Sequence, residues 1–245
     1  GVTALVGAVG RAVPENKRTA AIASLGMAGG IGQLIAFPYA HLLMEYTGWK
    51  MSLMVLAATG LLMLPLAWPL SGKPSVGPGL LRSQTLTQAF GEAFAHPSFW
   101  MLTIGFFVCG FHVAFYGVHL PAYVSDKGLP PWVGVWSLMA VGIANIIGTY
   151  LAGQSSKVVE RRVGLSFIYF MRIFAFLGLL YLPITPWVVI GISAFLGLFW
   201  LSTVPLTSGL VAQMFGVRYM ATLFGIVFFS HQVGSFLGVW LGGRL

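Results

Sequence analysis

Long apolar stretches separated by short polar turns dominate the hydrophobic pattern of this chain. Most of these stretches reach the ~20 residues that a helix needs to cross the hydrocarbon core of a bilayer. Residues 1–10 are too short to cross it, and they indicate the tail of a further helix. The pattern predicts seven membrane-spanning helices besides this stub, at 19–44, 51–70, 99–124, 132–155, 163–182, 187–214 and 220–242.

The connections between these helices are short except at 71–97, which begins with a stretch rich in Gly, Pro and Ser. We interpret 71–97 as a linker between a remnant of an N-terminal helical half at 1–70 and a C-terminal half at 98–245. Within the linker, apolar side chains recur at helical spacing over 85–95. This spacing predicts a short helix that lies on the membrane surface.

The composition agrees with a membrane location. Hydrophobic residues make up 58% of the chain and charged residues only 7%, against about 25% charged residues in soluble domains. We therefore predict an all-α polytopic membrane protein, whose net charge of +8 does not indicate a nucleic-acid partner. The single cysteine, Cys109, excludes a disulfide within this sequence and a cysteine-built metal site, and we expect no metal or cofactor.

The basic residues are unevenly divided between alternate loops. One set of loops holds nine of the 13 Lys and Arg residues and the other set holds three, with Arg172 inside a span. Cytoplasmic loops of membrane proteins carry an excess of Lys and Arg. The set of loops that is richer in basic residues, which includes the linker, is therefore predicted to be cytoplasmic. The richer set comprises Arg11, Lys17, Arg18, Lys73, Arg82, Lys157, Arg161, Arg162 and Arg218.

Arg172 lies near the middle of the apolar stretch 163–183. A guanidinium at that depth costs several kcal/mol unless it faces protein, water or an anion, and it cannot lose its proton. All five acidic residues fall in loops or at the ends of spans, so this sequence offers no carboxylate at mid-membrane. We therefore expect Arg172 to bind an anionic substrate, oriented by Tyr169. A partner from helices outside this sequence is the alternative.

Four polar aromatic residues recur along one face of the predicted helix 99–124. They are His112, Tyr116, His119 and Tyr123. The two His lie about two turns apart, whereas shared metal ligation favours residues three or four apart. We interpret His112 and Tyr116 as lining a substrate cavity, where a His could donate a hydrogen bond or carry a proton. An interface between helices is the alternative.

Two later spans also contain candidate substrate contacts. Asn145 could bind substrate or the backbone of a neighbouring helix. Thr203 and Thr207 align on one face, and we expect Pro205 to break the helical turn between them. Hydroxyls beside a broken turn favour ligand binding, but Thr often bonds to its own helix instead.

Glycines recur at every fourth position in the last span, at Gly234, Gly238 and Gly242, and two lie four apart in 19–44. Such ridges of small residues let helix backbones pack closely in lipid. His231 continues the ridge of the last span. We therefore treat His231 as a candidate substrate contact, with a hydrogen bond to another helix as the alternative.

Several short motifs carry a family resemblance. The turn PENKRTAA, the glycine-rich GMAGGIGQLIAFP and the YTGWK that closes this region are similar to the fourth-to-sixth helix region of the major facilitator superfamily. The segment GQSSKVVERR resembles a degenerate copy of that family's loop motif, in which Ser156 replaces an acid and Val159 a glycine, implying a weakened latch. The matching positions are Gly153, Lys157, Arg161 and Arg162.

The segment 126–153 resembles the bacterial monocarboxylate-porter and oxalate–formate-antiporter branch of the superfamily. That branch commonly has Asn, two residues, Gly and then Arg in this helix. Asn145 and Gly148 match, but Thr149 stands at the Arg position. The branch's anion-binding Arg is therefore absent here, and we infer that Arg172 supplies the charge instead.

The resemblance implies twelve helices in two six-helix halves, with substrate bound at mid-membrane between them and reached by alternating access. The chain opens without Met and stops directly after an apolar run. We therefore expect a truncated fragment, from the end of the fourth helix to the eleventh. The implied location is the bacterial inner membrane, with the linker 71–97 in the cytoplasm.

We predict a secondary active transporter for a small organic solute, specifically a carboxylate-type anion, with a coupling proton or counter-substrate as a further partner. A multidrug or amphiphile exporter is one alternative, supported by the aromatic residues Phe106, Phe111, Phe115 and Trp200. A non-transporting membrane scaffold or sensor is another. The sequence has no GxxxxGK[ST], GxSxG or HExxH motif, so we expect neither an ATP-driven pump nor an enzyme.

Overall fold

The computed structural model describes residues 2–66, 68 and 85–244, which contain ten helices and no strand. Six helical stretches among them are long and apolar enough to cross a membrane. The predicted all-α membrane fold is thereby confirmed. In chain order the helices are α1 (Val2–Ala12), α2 (Glu15–Gly60), α3 (Met63–Leu66), α4 (Leu86–Ala95), α5 (Pro97–Asp126), α6 (Trp132–Ser155), α7 (Arg161–Tyr181), α8 (Pro186–Leu198), α9 (Thr203–Phe215) and α10 (Met220–Gly242).

The predicted spans 19–44 and 51–70 share one helical stretch, α2, which is 46 residues long. A straight helix of that length would extend about 69 Å, more than twice the ~30 Å hydrocarbon core. Gly48 interrupts it with φ 71° and ψ 168°, a conformation open to glycine, and so separates a membrane-length helix from a shorter apolar stretch. Positions 67, 69 and 70 of the second predicted span and positions 71–84 of the predicted linker lie outside the described residues.

The short helix predicted within the linker is present as α4. It begins with a capping box, in which the side chains of Thr85 and Gln88 each bond to the other residue's backbone N–H. Ala89 and Ala93 are buried on one face. The indole of Trp100 at the start of α5 donates to the carbonyl of Phe94, at 2.8 Å. These contacts fix α4 at the beginning of α5.

Glycines allow the closest approaches between spanning helices, as the sequence predicted. A Cβ at Gly234 of α10 would clash with the Phe107 carbonyl of α5, and one at Gly110 of α5 would clash with the His231 carbonyl. A Cβ at Gly148 of α6 would likewise clash with a carbonyl of α8. Because the missing side chains let these backbones touch, α5 packs tightly on α10 and α6 on α8.

The predicted span 187–214 is two helices, α8 and α9, separated by residues 199–202. The expectation that Pro205 breaks the turn between Thr203 and Thr207 is wrong, because all three residues lie within α9. Pro205 occupies the first turn of α9, where a missing N–H removes no helical hydrogen bond. The chain leaves α8 earlier, at Phe199, with φ −106° and ψ 8°.

Basic residues from both parts of the chain gather at one end of the bundle. Arg161 at the start of α7 donates to the Thr19 hydroxyl of α2 at 3.1 Å and to the Gln213 side chain of α9 at 2.9 Å. Lys17 and Lys157 line one cavity of about 410 Å³ at this end of the bundle. The basic turns assigned to one side of the membrane by the sequence therefore do lie together.

Candidate functional site

Arg172 of α7 is almost completely buried, with 1% of its surface exposed. Its Nε and Nη2 donate to the Phe199 carbonyl at 3.1 and 2.5 Å, and Nη2 also donates to the Trp200 carbonyl at 2.6 Å. These carbonyls lie at the C-terminal end of α8, where acceptors lack helical partners and the helix dipole is negative. Backbone carbonyl oxygens thus accept hydrogen bonds from the guanidinium for which the sequence showed no partner.

Asn145 of α6 binds the same interruption from another side. Its Oδ1 accepts from the backbone N–H of Leu201 at 2.9 Å and from the Thr149 hydroxyl at 3.1 Å. Its Nδ2 donates to the Gly26 carbonyl of α2 at 3.4 Å. In this conformation Asn145 holds protein backbone, and its contact with substrate stays a prediction.

One nitrogen of Arg172, Nη1, is buried without a hydrogen-bond partner. The hydroxyl of Tyr169, one turn earlier on α7, is also buried and unpartnered. The guanidinium carbon of Arg172 lies 5.7 Å from the centre of the Tyr169 ring, which is a cation–π distance. Two hydrogen-bond donors of α7 are therefore unused in the interior of the bundle.

Three further polar side chains from α5, α9 and α10 complete what we term the Arg172 cluster: Cys109, Tyr169, Arg172, Thr203 and His231. The Cys109 thiol lies 3.5 Å from the Thr203 hydroxyl, and the side chains of Arg172 and His231 are its polar neighbours from α7 and α10. The His231 Nδ1 lies 3.4 Å from the Ser235 hydroxyl and 3.1 Å from the Gln232 side-chain oxygen. The cluster brings together the predicted site residues Arg172, Thr203 and His231.

The remaining predicted site residues lie around this cluster in packed interfaces. The His112 ring packs 4.9 Å from that of Phe176, and its Nδ1 is buried without a partner. The Tyr116 hydroxyl lies 2.7 Å from the hydroxyl of Ser193, and Tyr116 is buried. In this conformation both residues lie between helices instead of lining an open cavity, so their contact with substrate stays a prediction.

Thr207 follows one turn after Thr203 on α9 and is fully buried. Its hydroxyl has no hydrogen-bond partner, unlike that of Ser208, which donates to its own helix at the Val204 carbonyl. A buried hydroxyl without a partner costs free energy. Thr207 therefore keeps an unused donor on the same helix that carries Thr203, and its contact with substrate stays a prediction.

The sequence reasoning missed two parts of this site. Cys109 was considered only for disulfides and metals, although it precedes His112 and Tyr116 at helical spacing. The carbonyls of Phe199 and Trp200 were missed because no break was expected before Ser202. A signal for the break was present, since a proline is tolerated in the first turn of a helix and Pro205 is the third residue of α9.

Comparisons with known proteins agree with this architecture. The family model for the Major Facilitator Superfamily matches residues 1–239. The chain is similar to an uncharacterized MFS-type transporter, YcxA, of Bacillus subtilis (strain 168), with 28% identity over 240 residues. That match covers 91% of this chain and 56% of the relative, so the chain spans about half the length of this curated protein. On the family match over nearly its whole length, the chain belongs to the Major Facilitator Superfamily.

Proposed function

We propose that the protein is a secondary active transporter that moves a small carboxylate-type anion by alternating access. The observation that carries this proposal is the buried Nη1 of Arg172, which has no hydrogen-bond partner. A buried donor without a partner costs about 1–3 kcal/mol, and more when it is charged. A carboxylate oxygen at Nη1 would remove that cost through a charge-assisted hydrogen bond.

The surroundings of Arg172 support an anion over a neutral or cationic solute. In the described part of the chain no salt bridge reaches Arg172, whose bonded partners are the carbonyls of Phe199 and Trp200. Carbonyl oxygens carry only partial charges, so a net positive charge remains at this site. The unpartnered hydroxyl of Tyr169 would offer a second donor to the same anion.

Arg172, Cys109 and Thr203 are buried in this conformation, with at most 1% of each exposed, whereas Tyr169 and His231 are half-buried. Transport therefore requires a second conformation in which the cluster opens to one side of the membrane. Rocking of one bundle against the other would provide such a conformation. The break at 199–202 gives α8 and α9 a position at which they can bend relative to each other.

His231 and His112 are our candidates for coupling transport to a proton. Both lie within spanning helices, and His231 belongs to the Arg172 cluster. We further propose that the membrane is the bacterial inner membrane and that the end with Lys17, Lys157 and Arg161 faces the cytoplasm. The gathering of basic residues at this one end supports that orientation.

Vesicles that contain the full-length protein would test this function directly. Uptake of radiolabelled lactate, oxalate and succinate is compared with uptake of a neutral sugar and a lipophilic cation. We expect protein-dependent uptake of at least one carboxylate and of neither control solute. Selective flux of the lipophilic cation would instead favour the multidrug exporter. Absence of any flux, in a protein that a carboxylate still stabilises, would favour the scaffold or sensor.

A further inference from the structure

A cavity of about 410 Å³ lies between α2 and α6 at the basic end of the bundle. Lys17, in the first turn of α2, and Lys157, two residues after the end of α6, both line it and are exposed. Lys157 donates to the side-chain oxygen of Gln154, which also lines the cavity. The cavity therefore has one cation from each of the two chain segments that form it.

Neither lysine is neutralised by an acid. The acids nearest to them in the sequence are Glu15 and Glu160. Glu160 pairs with Arg162. In the described part of the chain no salt bridge reaches Lys17 or Lys157. The end of the cavity that carries the two lysines is therefore electropositive.

Beyond the lysines the cavity continues along apolar side chains. Met27 of α2 lines it ten residues after Lys17, about 15 Å further along the helix. Tyr150 of α6 also lines it and is 50% exposed, so this part opens on the outer surface of the helix pair. A depth of about 15 Å equals half of the ~30 Å hydrocarbon core, which is one leaflet. The cavity thus has the length and the division into charged and apolar parts of a lipid in one leaflet.

We propose that this cavity binds one anionic phospholipid, with its headgroup phosphate between Lys17 and Lys157. One acyl chain would lie against Ser24, Met27 and Tyr150, which line the cavity. Two cations at a membrane surface attract a negatively charged headgroup. A soluble phosphate would leave the apolar walls uncovered, and a zwitterionic lipid would leave the two lysines without a net counter-charge.

The bound headgroup would connect two distant parts of the chain. A phosphate between Lys17 and Lys157 would join the start of α2 to the end of α6, at the same end of the bundle as the bond from Arg161 to Thr19. It would therefore favour the arrangement in which α2 and α6 are packed together at this end. This consequence rests on the proposed alternating access, whereas the binding of the lipid does not.

Photolabelling of the full-length protein tests the acyl-chain part of the site. The protein is placed in phosphatidylcholine vesicles with a trace of phosphatidylglycerol that carries a diazirine on one acyl chain, and labelled residues are mapped by mass spectrometry. We expect labels at Met27 and Tyr150. Ser24→Trp fills the cavity from an exposed position and should lower this labelling about fivefold or more, because it displaces methylene groups of the chain.

Leu151→Trp is the matched control for the filled cavity. Leu151 follows Tyr150 on α6, is 55% exposed and does not line the cavity. Labelling in Leu151→Trp should equal that of the wild type. Unchanged labelling in Ser24→Trp would overturn the proposal.

Charge variants test the headgroup part of the site. Lys17→Gln and Lys157→Gln should each lower labelling by the phosphatidylglycerol probe about fivefold, the effect of one basic residue near a membrane surface. Arg162→Gln is the matched control, because it removes the same charge at the same end of the bundle from a residue that does not line the cavity. A phosphatidylcholine probe with the same acyl chains should label the cavity weakly.

Three results in this arm would overturn the proposal. They are equal labelling by the two headgroups, an equal loss in Arg162→Gln and Lys157→Gln, and competition by inorganic phosphate at constant ionic strength, which would indicate a soluble anion instead of a lipid. None of these measurements depends on transport. Failure of the lipid site is therefore distinguishable from failure of the proposed function.

Discussion

Arg172 of α7 and Asn145 of α6 bind opposite kinds of backbone group in the same break. Arg172 donates to the carbonyls of Phe199 and Trp200, while Asn145 accepts from the N–H of Leu201, at 2.9 Å. Backbone that leaves a helix inside a membrane persists only where its polar groups are satisfied by protein or water. The interruption between α8 and α9 is therefore supported from two neighbouring helices.

We expect Asn145→Ala to lower the free energy of unfolding by about 1–3 kcal/mol. The substitution leaves the buried Leu201 N–H without a partner, which costs free energy of that order, and also removes the additional hydrogen bond to the helical Gly26 carbonyl. Thr149→Val removes only the hydroxyl that donates to Asn145, so its effect should be smaller. Thermal unfolding in detergent would measure both. Equal stability of Asn145→Ala and wild type would contradict the role of Asn145 at the break.

Gly148→Ala should destabilise the protein by about 1–3 kcal/mol, the usual cost of overpacking a close contact. Its Cβ would clash with the Leu198 carbonyl at the end of α8. Gly191→Ala is the control, since the added methyl group at that exposed position meets nothing. Melting temperatures of the two purified variants give the comparison. Equal melting temperatures of the two variants would contradict the close packing of α6 on α8.

Arg161→Met should weaken the contact between α7 and α2 at the basic end of the bundle. The substitution removes the hydrogen bonds to Thr19 and Gln213, and charged hydrogen bonds are worth about 1.5–3 kcal/mol when buried and less here, where they are part-exposed. Spin labels attached at Lys17→Cys and Lys157→Cys, in a Cys109→Ser background, would report the change. We predict that the distance distribution shifts to longer values.

Arg162→Met is the matched control for this experiment. Arg162 pairs with Glu160, two residues before it in the chain, so its loss breaks no contact with α2. The label distance should then stay as in the unsubstituted protein. A shift of equal size in both variants would mean that loss of charge alone, and not the contact with Thr19, opens this end.

Cys109 should react slowly with a maleimide, because its thiol is buried beside Thr203. We expect a rate more than about tenfold below that of a cysteine introduced at the exposed position of Lys157→Cys, since reaction requires opening of the cluster. A carboxylate that binds Arg172 should slow the reaction further. Mass spectrometry of labelled peptides follows both sites in one sample. Equal rates would show that the cluster is open in solution.

The long periodic features of this chain were predictable from sequence. Apolar length predicted membrane-spanning helices, seven against the six found in the described residues, and glycines at every fourth position predicted close packing of α10 but not its partner, α5. The capping residues of α4 follow a local rule that short-range sequence contains. Each of these features is encoded by residues within a single helix, by their apolar length, their glycine spacing or their capping side chains.

The partners of Arg172 were not predictable in the same way. A side-chain carboxylate was the expected partner, but Arg172 donates to the backbone carbonyls of Phe199 and Trp200. Every residue type has a backbone carbonyl, so residue identity alone does not indicate such a partner. Recognising them requires knowing where α8 ends and which helix packs beside it. Pro205 misled the prediction, because a proline in the first turn of a helix leaves that helix intact.

We propose that Arg172 both holds the break between α8 and α9 and binds the anion. Calorimetric titration of lactate, oxalate and succinate into the full-length protein tests this most directly, in wild type, Arg172→Lys and Arg172→Gln. Gln can still donate to the Phe199 carbonyl but carries no charge, so we predict a folded protein that binds its anion about 10- to 100-fold more weakly. Arg172→Lys should retain part of the affinity. Unchanged affinity in a folded Arg172→Gln would contradict anion binding by Arg172. Its role would then be limited to holding the break between α8 and α9.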